Sequence, residues 1–521
     1  MSAVVTDYFL QAIEQALGAG AVLRGADALT RSDPYGFDAG GRYVPGGVAL
    51  PDCVEQIQAV LSLAHEHRVP VWTVSTGKNL AYGGAAPLVS GSLVLDLQRM
   101  NRIIEVNEEL GYAVVEPGVR FLDLYEHLQR HGHRLMMSVP DLGWGSPVGN
   151  ALERGFGYAP MWDHSANICG LEFVMADGRL VRTGMGAKDG SSAWHLYKGG
   201  FGPSLEGLMQ QSNFGIVTRM GLALMRQPET IITCMVKTPH VGAVGQMVET
   251  LRPLMLDGTI QSNAVIGNAT VIATMMSERK LWHDGPGAMP EVAVAALAAG
   301  LGLGRWNARF GLYGTEAMAA ARLACVKAAV AKLPDAELVT RQYSGSVTAK
   351  DAHPSDHSQL GIPGLGKLRM AEWRSGLGST SAAHTDFSLV CPATANDVMR
   401  QLAIVQTEIE AGGLDYCGGI TLCGRHVIAL ALLAFDRADP VLTAQVPLVM
   451  SRLIDQASKA GYAPYRAHLA FMDQIAAQYD FNDHALAAVF QTLKDALDPA
   501  GILSPGKQGI WPRGVNPNTA A

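Results

Sequence analysis

The residues from Ser138 to Tyr158 combine a lone acid with an unusual density of glycine. Asp141 lies among turn-forming residues in this stretch, and Glu153 and Arg154 stand between later glycines. Gly and Pro at this density disfavour the interior of a helix or a strand, so we expect an irregular segment whose backbone approaches a large ligand. A carboxylate beside such a ligand could act as a general base. The stretch therefore predicts a cofactor cradle with a catalytic acid.

A second glycine-rich stretch, Ser75–Pro87, follows the extended segment Val69–Val74. Consecutive backbone N–H groups in such a loop can form an anion-binding nest for a diphosphate. A plain surface loop is the alternative, and by itself it is the favoured one. Together with the Ser138–Tyr158 stretch, the loop indicates a dinucleotide. The sequence contains no G-x-G-x-x-G, so a Rossmann phosphate loop is not supported.

Tyr465 and Arg466 place a phenol and a guanidinium side by side. Such a pair suits an anion, for example a carboxylate or a phenolate. The alternative, a surface arginine beside a packed tyrosine, is equally compatible with the composition.

Two further patterns are weaker. Gly361–Lys367 has the spacing of a nucleoside-triphosphate loop, but Leu368 follows where Ser or Thr would coordinate magnesium. A group of possible metal ligands is better explained as a polar loop, and we expect no metal site there: Asp351, His353, Asp356 and His357.

Length, composition and charge exclude several classes of protein. A chain of 521 residues is too long for one core, so two or more domains are expected. The net charge of −7 argues against a nucleic-acid partner. No signal peptide and no apolar stretch of bilayer length are apparent, so we expect no membrane association. The seven cysteines never form C-x-x-C, which fits a cytoplasmic protein without zinc or disulfides.

Periodicity predicts the elements that must position these residues. Helices are expected over 7–18, 53–67, 121–131, 318–332, 395–412 and 482–497. Short strands are expected over 91–97, 103–106 and 112–117, and Ala176–Arg179 predicts a hairpin turn between strands 171–175 and 180–182. Strands alternate with Ala-rich helices after about residue 228, which suggests a second α+β domain.

Six motifs together resemble the vanillyl-alcohol oxidase and 4-cresol dehydrogenase family of flavoproteins. They are 75–87, 139–158, 182–186, 211–218, 465–473 and 505–507. The resemblance implies an α+β fold with two domains. An FAD-binding domain would comprise 1–228, completed by 490–521, and a substrate-cap domain would comprise 229–489.

The resemblance also implies roles at the reaction centre. Tyr82, Tyr465 and Arg466 would hold the phenolate oxygen of a para-substituted phenol, whose benzylic hydride would pass to flavin N5 and leave a p-quinone methide. Asp141 would act as a base beside the flavin, and its presence favours the oxidase branch. Oxygen would then be the acceptor and hydrogen peroxide a product. The alternative is a dehydrogenase that passes electrons to a cytochrome.

The resemblance further implies that His384 carries FAD covalently, with a packed core histidine as the alternative. FAD contacts are expected from Thr76, Gly77, Lys78, Asn79, Gly83, Gly149, Asn150, Glu153, Gly155, Ile216 and Lys507. A homodimer or a larger homo-oligomer is expected from the same resemblance.

The chain departs from the family pattern in the predicted substrate pocket. Asp386 intrudes after His384, Arg425-His426 stands where paired histidines are usual, and Trp144 could reduce the cavity. A second acid near the benzylic carbon could alter water addition or substrate range. The expected pocket residues are Trp144, Tyr158, Asp386 and Arg425.

Overall fold

The computed structural model describes residues 5–37, 41–140 and 142–515. The α-helices of these residues are α1 (Asp7–Leu17), α2 (Gly25–Leu29), α3 (Val54–His67), α4 (Phe121–Arg130), α5 (Pro147–Leu152), α6 (Val244–Leu256), α7 (Ala269–Met276), α8 (Glu291–Gly300), α9 (Glu316–Val330), α10 (Ala395–Ala411), α11 (Pro440–Lys459), α12 (Met472–Ala476) and α13 (Phe481–Leu497).

The strands of the same residues are β1 (Val22–Leu23), β2 (Gly47–Ala49), β3 (Val71–Val74), β4 (Leu93–Asp96), β5 (Ile103–Asn107), β6 (Tyr112–Val115), β7 (Leu135–Met136), β8 (Ile168–Val174), β9 (Leu180–Arg182), β10 (Ile216–Ala223), β11 (Met225–Arg226), β12 (Thr230–Thr238), β13 (Ala264–Asn268), β14 (Trp306–Gly314), β15 (Glu337–Ser344), β16 (Ala382–Pro392), β17 (Cys417–Leu422), β18 (His426–Asp436) and β19 (Ala463–Arg466).

The amphipathic helices form where periodicity predicts them. In α1 the side chain of Thr6 caps the first turn by accepting a hydrogen bond from the Phe9 N–H at 3.2 Å. Phe9, Ile13 and Leu17 are buried on one face, as their spacing requires. The expected helices at 53–67, 121–131, 318–332, 395–412 and 482–497 are confirmed by α3, α4, α9, α10 and α13.

The described residues before β12 form three sheets, of which the smallest is the antiparallel pair β7 and β11. The first has the order β1-β2-β4-β3, and its strands β2, β4 and β3 run parallel. The second has the order β5-β6-β10-β8-β9 and is antiparallel, and the predicted hairpin is confirmed by the pairing of β8 with β9. The glycine-rich loop Ser75–Asn79 leaves the first sheet directly after β3.

An eight-stranded antiparallel sheet follows, with the order β15-β12-β14-β13-β17-β18-β16-β19. Helices α9, α10 and α11 pack on it, and one large apolar cluster fills the space between these helices and the sheet. Strand β16 lies between β18 and the edge strand β19, so residues of β16 and β19 face each other directly.

The C-terminal segment returns to the first half of the chain. Leu503 forms a parallel bridge with Val71 of β3. The Lys494 ammonium donates to the carbonyl oxygens of Asn213 and Leu503 at 3.0 and 2.7 Å and pairs with Asp498. These contacts hold residues 494–510 against the elements that precede β12.

The expectation that 138–158 contains no helix is wrong, because α5 forms within it. Pro147 occupies the first helical position, where its missing N–H costs nothing. The Ser146 hydroxyl accepts from the N–H groups of Val148 and Gly149. The Ser146 cap and Pro147 at the first position thus offset the low helix propensity of Gly149. No helix of the described residues is both long and apolar enough to cross a membrane.

Candidate functional site

A long cavity runs from the loop after β3 to the C-terminal segment. Nine of the residues expected to contact FAD line it: Thr76, Gly77, Lys78, Asn79, Gly149, Asn150, Glu153, Ile216 and Lys507. Tyr82 and Arg466 line it too, so the cavity also includes residues of the expected phenol site. Gly83 and Gly155 lie beside lining residues rather than in the lining itself.

The bend of the loop depends on Gly77. Its φ is +63°, a left-handed conformation that favours glycine. A Cβ at this position would lie 2.8 Å from the Cβ of Ala85, inside van der Waals contact. Gly77 therefore lets the loop fold back on itself while its backbone stays open to the cavity.

An ion pair forms part of the cavity wall. Lys507 Nζ lies 2.6 Å from Glu153 Oε1, and each side chain is about one-fifth exposed, at 20% and 22%. Burial raises the pKa of Glu153, but the Lys507 charge and hydrogen bond outweigh burial and leave that pKa below its ordinary value. This pair joins the α5 region to the C-terminal segment.

The neighbouring wall is anchored by His164 and Asn150, whose Nδ1 and Oδ1 atoms are 2.6 Å apart. Burial lowers the pKa of His164 to about 4, so its ring is neutral at pH 7. This neutral ring adds no positive charge to the wall.

Tyr82 and Arg466 line another part of the cavity, from which the Arg466 charge still acts on Glu153. The Arg466 guanidinium carbon lies 4.5 Å from the centre of the Tyr82 ring, and Arg466 Nη2 donates to Asn79 Oδ1 at 2.7 Å. The Tyr82 hydroxyl is 2.6 Å from the hydroxyl of Ser388, which is fully buried. Arg466 of β19 thus joins the glycine-rich loop Ser75–Asn79 to the eight-stranded sheet.

Tyr465 differs from Tyr82 in one respect. Its hydroxyl oxygen is buried and forms no hydrogen bond of good geometry with a described residue, although the Arg466 guanidinium is close enough to interact with it. Burial raises the pKa of Tyr465, and the Arg466 charge opposes this only in part. For Arg466 itself, burial would lower the pKa, but the nearby Tyr82 and Tyr465 raise it overall. The cluster presents a permanent cation and an unused hydroxyl.

Asp386 and Tyr158 lie near this cluster. Burial raises the pKa of Tyr82 and of Tyr158, and the Asp386 charge raises both further. The Lys367 ammonium lies 4.8 Å from the centre of the Tyr158 ring, and burial lowers the pKa of Lys367 to about 7. His384 Nδ1 lies 3.1 Å from Asp386 Oδ1. The structure therefore brings Tyr158, Asp386 and His384 to the Tyr82–Tyr465–Arg466 cluster.

Two other predicted residues stand apart. Trp144 is half-buried in a second cleft, where the Lys78 ammonium lies 5.4 Å from the centre of its ring. Arg425 lies in the exposed turn between β17 and β18. Asp141 lies outside the described residues.

Sequence reasoning missed three residues of this region. Gln211 lines the cavity and donates to the Tyr465 carbonyl at 2.8 Å, and Ser388 bonds the Tyr82 hydroxyl. Asn213 donates to the carbonyl oxygens of Ser504 and Ile510, while its own Oδ1 is buried without a partner in the described structure. Gln211 and Asn213 lie within motif 211–218, and Ser388 lies four residues after His384, so a polar residue inside or close to a recognised segment was the available signal.

The cavity fits a dinucleotide. A glycine-rich loop offers backbone N–H groups to a diphosphate, and Lys507 and Arg466 add positive charge. Two orphan polar atoms, Asn213 Oδ1 and Tyr465 Oη, remain for hydrogen bonds with bound molecules.

Comparison with known proteins agrees with this geometry. A family model described as "FAD binding domain" matches residues 45–184, and one described as "FAD linked oxidases, C-terminal domain" matches 400–508. The flavoprotein subunit of 4-cresol dehydrogenase [hydroxylating] from Pseudomonas putida is 34% identical over 90% of this chain and 88% of its own.

Two solved structures are similar over nearly the whole chain. The 4-ethylphenol oxidase from Gulosibacter chungangensis, in complex with isoeugenol, has a TM-score of 0.91 at 32% identity. p-Cresol methylhydroxylase with substrate bound has a TM-score of 0.92 at 32% identity. Each comparison covers 97% of both chains. The chain has the two-domain FAD-binding oxidase fold, uses FAD as its cofactor, and belongs to the family of FAD-linked oxidoreductases that includes the 4-cresol dehydrogenase flavoprotein subunit.

Proposed function

We propose that this protein oxidises para-substituted phenols at the benzylic carbon, with oxygen as the electron acceptor and hydrogen peroxide as a product. The substrates would be 4-alkylphenols, 4-hydroxybenzylic alcohols or allylphenols. The relatives named for 4-cresol, p-cresol and 4-ethylphenol support this substrate class. The observation that carries the proposal is the buried Tyr465 hydroxyl without a well-formed hydrogen bond beside the partly buried Arg466 cation.

A phenolate oxygen would supply what this cluster lacks. It would accept a hydrogen bond from Tyr465 Oη, which forms no hydrogen bond of good geometry within the described residues, and would lie in the field of Arg466. In a dry site such preorganised donors stabilise negative charge strongly. The cluster would therefore lower the pKa of the bound phenol, and the resulting phenolate would push electron density to the benzylic carbon.

The bound flavin would supply the hydride acceptor, its N5. In this proposal Asp141 takes a proton from water or from the substrate next to the flavin. Acid–base catalysis by a positioned carboxylate contributes about 10²–10⁴-fold. Asp141→Ala is therefore expected to lower turnover by at least about tenfold.

Several finer assignments belong to the same proposal. We propose a vanillyl-alcohol oxidase type of fold, with an FAD-binding domain of 1–228 and 490–521, a cap domain of 229–489, and FAD joined covalently to His384. We also propose a cytoplasmic homodimer or larger homo-oligomer. Light scattering of the purified protein would test the oligomer.

The decisive assay measures peroxide and oxygen consumption with 4-ethylphenol, vanillyl alcohol and eugenol. The matched control is 4-ethylanisole, which has the same ring and side chain but carries a methyl group on the para-oxygen. Turnover of the phenol without turnover of the ether is expected, because only the phenol can form the anion that the cluster binds. Equal turnover of both would overturn the proposal.

A dehydrogenase is the second candidate, and one observation favours it. The 34%-identical relative is named a dehydrogenase subunit. If the protein reduces an artificial electron-accepting dye in the presence of 4-ethylphenol but consumes no oxygen, the oxidase assignment fails and the dehydrogenase is supported.

A further inference from the structure

Three polar side chains lie in a row on one face of β16. Because side chains alternate along a strand, His384, Asp386 and Ser388 share a face. Ser388 holds the Tyr82 hydroxyl at one end of the row, and His384 stands at the other end. Asp386 lies between them, and the residues paired with these three on β18 are the apolar Ala434, Leu432 and Leu430. The carboxylate therefore has no charged partner on that neighbouring strand.

The contact between His384 and Asp386 defines the histidine tautomer. The two atoms are Nδ1 and Oδ1, 3.1 Å apart. A carboxylate can only accept, so Nδ1 carries a proton in this contact, and in the neutral ring the lone pair is then on Nε2. The Tyr35 ring, whose centre is 5.1 Å from that of His384, packs against the imidazole and restricts its rotation. The ring is thus held in one orientation with Nε2 as its free nucleophile.

We propose that Asp386 is a positioning residue for covalent flavin attachment: it holds the His384 ring with Nε2 free to bond to FAD. This inference rests on the proposed covalent link through His384. It gives a role to an acid that the sequence suggested only as a modifier of the substrate pocket.

The bond that forms joins Nε2 to the methyl carbon at position 8 of the flavin ring. The methyl carbon and the imidazole each release one proton, and the electron pair stays on the flavin until molecular oxygen removes it as hydrogen peroxide. Positive charge develops on the imidazole as Nε2 bonds, and the Asp386 carboxylate stabilises that charge and accepts the Nδ1 proton. Removal of the carboxylate should therefore slow bond formation without abolishing FAD binding.

The experiment measures the fraction of flavin that stays with the protein after denaturation. Wild-type protein and the variants Asp386→Ala, Asp386→Asn and His384→Ala are incubated with FAD in air, sampled over time and denatured. Flavin fluorescence in the protein band is compared with free flavin in the filtrate. Absorbance before denaturation reports total bound FAD and shows whether each variant folds and binds its cofactor.

We expect His384→Ala to bind FAD but to release all of it on denaturation. Asp386→Ala should form the covalent bond at least about tenfold more slowly than wild type, a loss smaller than the about 10²–10⁴-fold that acid–base catalysis typically contributes. The rate of bond formation in Asp386→Asn should lie between those of wild type and Asp386→Ala, since an amide oxygen can still accept a hydrogen bond from Nδ1. Ser388→Ala, on the same face but bonded to Tyr82, should link flavin at the wild-type rate.

The outcomes separate the two proposals. If wild-type protein releases its flavin, the covalent link and the role of Asp386 both fail. If wild type links flavin and Asp386→Ala does so at the same rate, only the role of Asp386 is overturned. If Ser388→Ala slows linkage as much as Asp386→Ala does, the effect belongs to the whole strand face, and the specific role is likewise rejected.

Discussion

The cavity has a cofactor end, with Gly77, Glu153 and Lys507, and a phenol end, with Tyr82, Tyr465 and Arg466. The two ends are built in different ways. At the cofactor end, a loop directly follows β3, Gly77 permits its bend, and Glu153 is paired with Lys507. At the phenol end, Tyr82 and Arg466 come from segments nearly 400 residues apart, and the Tyr465 hydroxyl has no partner in the described residues. Each end has a buried polar atom without a well-formed hydrogen bond in the described residues, Asn213 Oδ1 at the first and Tyr465 Oη at the second, but only the first end pairs its cation with a carboxylate.

Because of this difference, we expect substitutions at the two ends to affect different properties of the protein. A buried hydroxyl without a hydrogen bond costs free energy in the protein alone, and binding an anion would recover it. Changes at the phenol end should therefore affect turnover more than folding, whereas changes at the cofactor end should affect folding and FAD retention first.

The largest effect is expected from Arg466→Ala. Truncating one member of a buried charge interaction costs about 2–5 kcal/mol, so kcat/KM for 4-ethylphenol should fall about 10³-fold. Steady-state peroxide formation measures it. Arg179→Ala, which removes an exposed arginine paired with Asp177, is the control and should leave kcat/KM unchanged. A loss below tenfold for Arg466→Ala would remove this residue from the proposed site.

Tyr465→Phe and Tyr82→Phe test the contrast most directly. A hydrogen bond to a charged group contributes about 1.5–3 kcal/mol, so both variants should lose about 10–100-fold in kcat/KM. Only Tyr82→Phe should also unfold more easily, by about 1–3 kcal/mol, because it leaves the buried Ser388 hydroxyl unpaired. Denaturant unfolding of the two variants gives the comparison, and equal destabilisation would contradict the orphan state of Tyr465.

Lys507→Met, at the cofactor end, should lower the free energy of unfolding by about 2 kcal/mol. This loss is smaller than the loss expected for a fully buried ion pair, because both side chains are partly exposed. The lowered pKa of Glu153 means that its contribution is present above the ordinary pKa of a glutamate and is lost as pH falls through the lowered value. The stability gap between wild type and variant should therefore close on acidification.

Thermal unfolding between neutral and acidic pH measures this gap. Lys188→Met is the control, since Lys188 is exposed and contacts only the backbone of its neighbour among the hydrogen bonds of the described residues. A gap that stays constant with pH would show that the Glu153 charge is not its source.

The smallest effect is expected from Gly77→Ala. A left-handed conformation costs an alanine about 1–2 kcal/mol, and the added Cβ would also crowd Ala85. Gly132→Ala has a similar φ of +67° but no atom within 4 Å of the added Cβ, so it reproduces the strain without the clash. Gly77→Ala should lower the ratio of bound flavin to protein below that of Gly132→Ala, and equal ratios would contradict a role for the loop in FAD binding.

The helices and the glycine-rich loops could be predicted because their signals are local. Periodic apolar residues define α1 and α3, and they bury the same residues that the periodicity selects. Helix α5 was missed because a single cap and a proline at the first position outweighed the glycine content of the segment. Arg425 was assigned to the pocket from its place in a motif, yet the strand ends there in an exposed turn.

The sequence by itself determined the class of protein, the FAD cofactor and the candidate residues, because motifs and periodicity are properties of neighbouring residues. Only the tertiary structure decided which of the candidate site residues lie close to one another. The hydrogen bond between the Tyr82 and Ser388 hydroxyls joins residues that are about 300 positions apart in the chain, and strand pairing brings them together. The state of the Tyr465 hydroxyl likewise depends on which side chains are buried around it. Alternation along β16 puts Asp386 on the same face as His384, and the folded structure then brings their Oδ1 and Nδ1 atoms to 3.1 Å from each other.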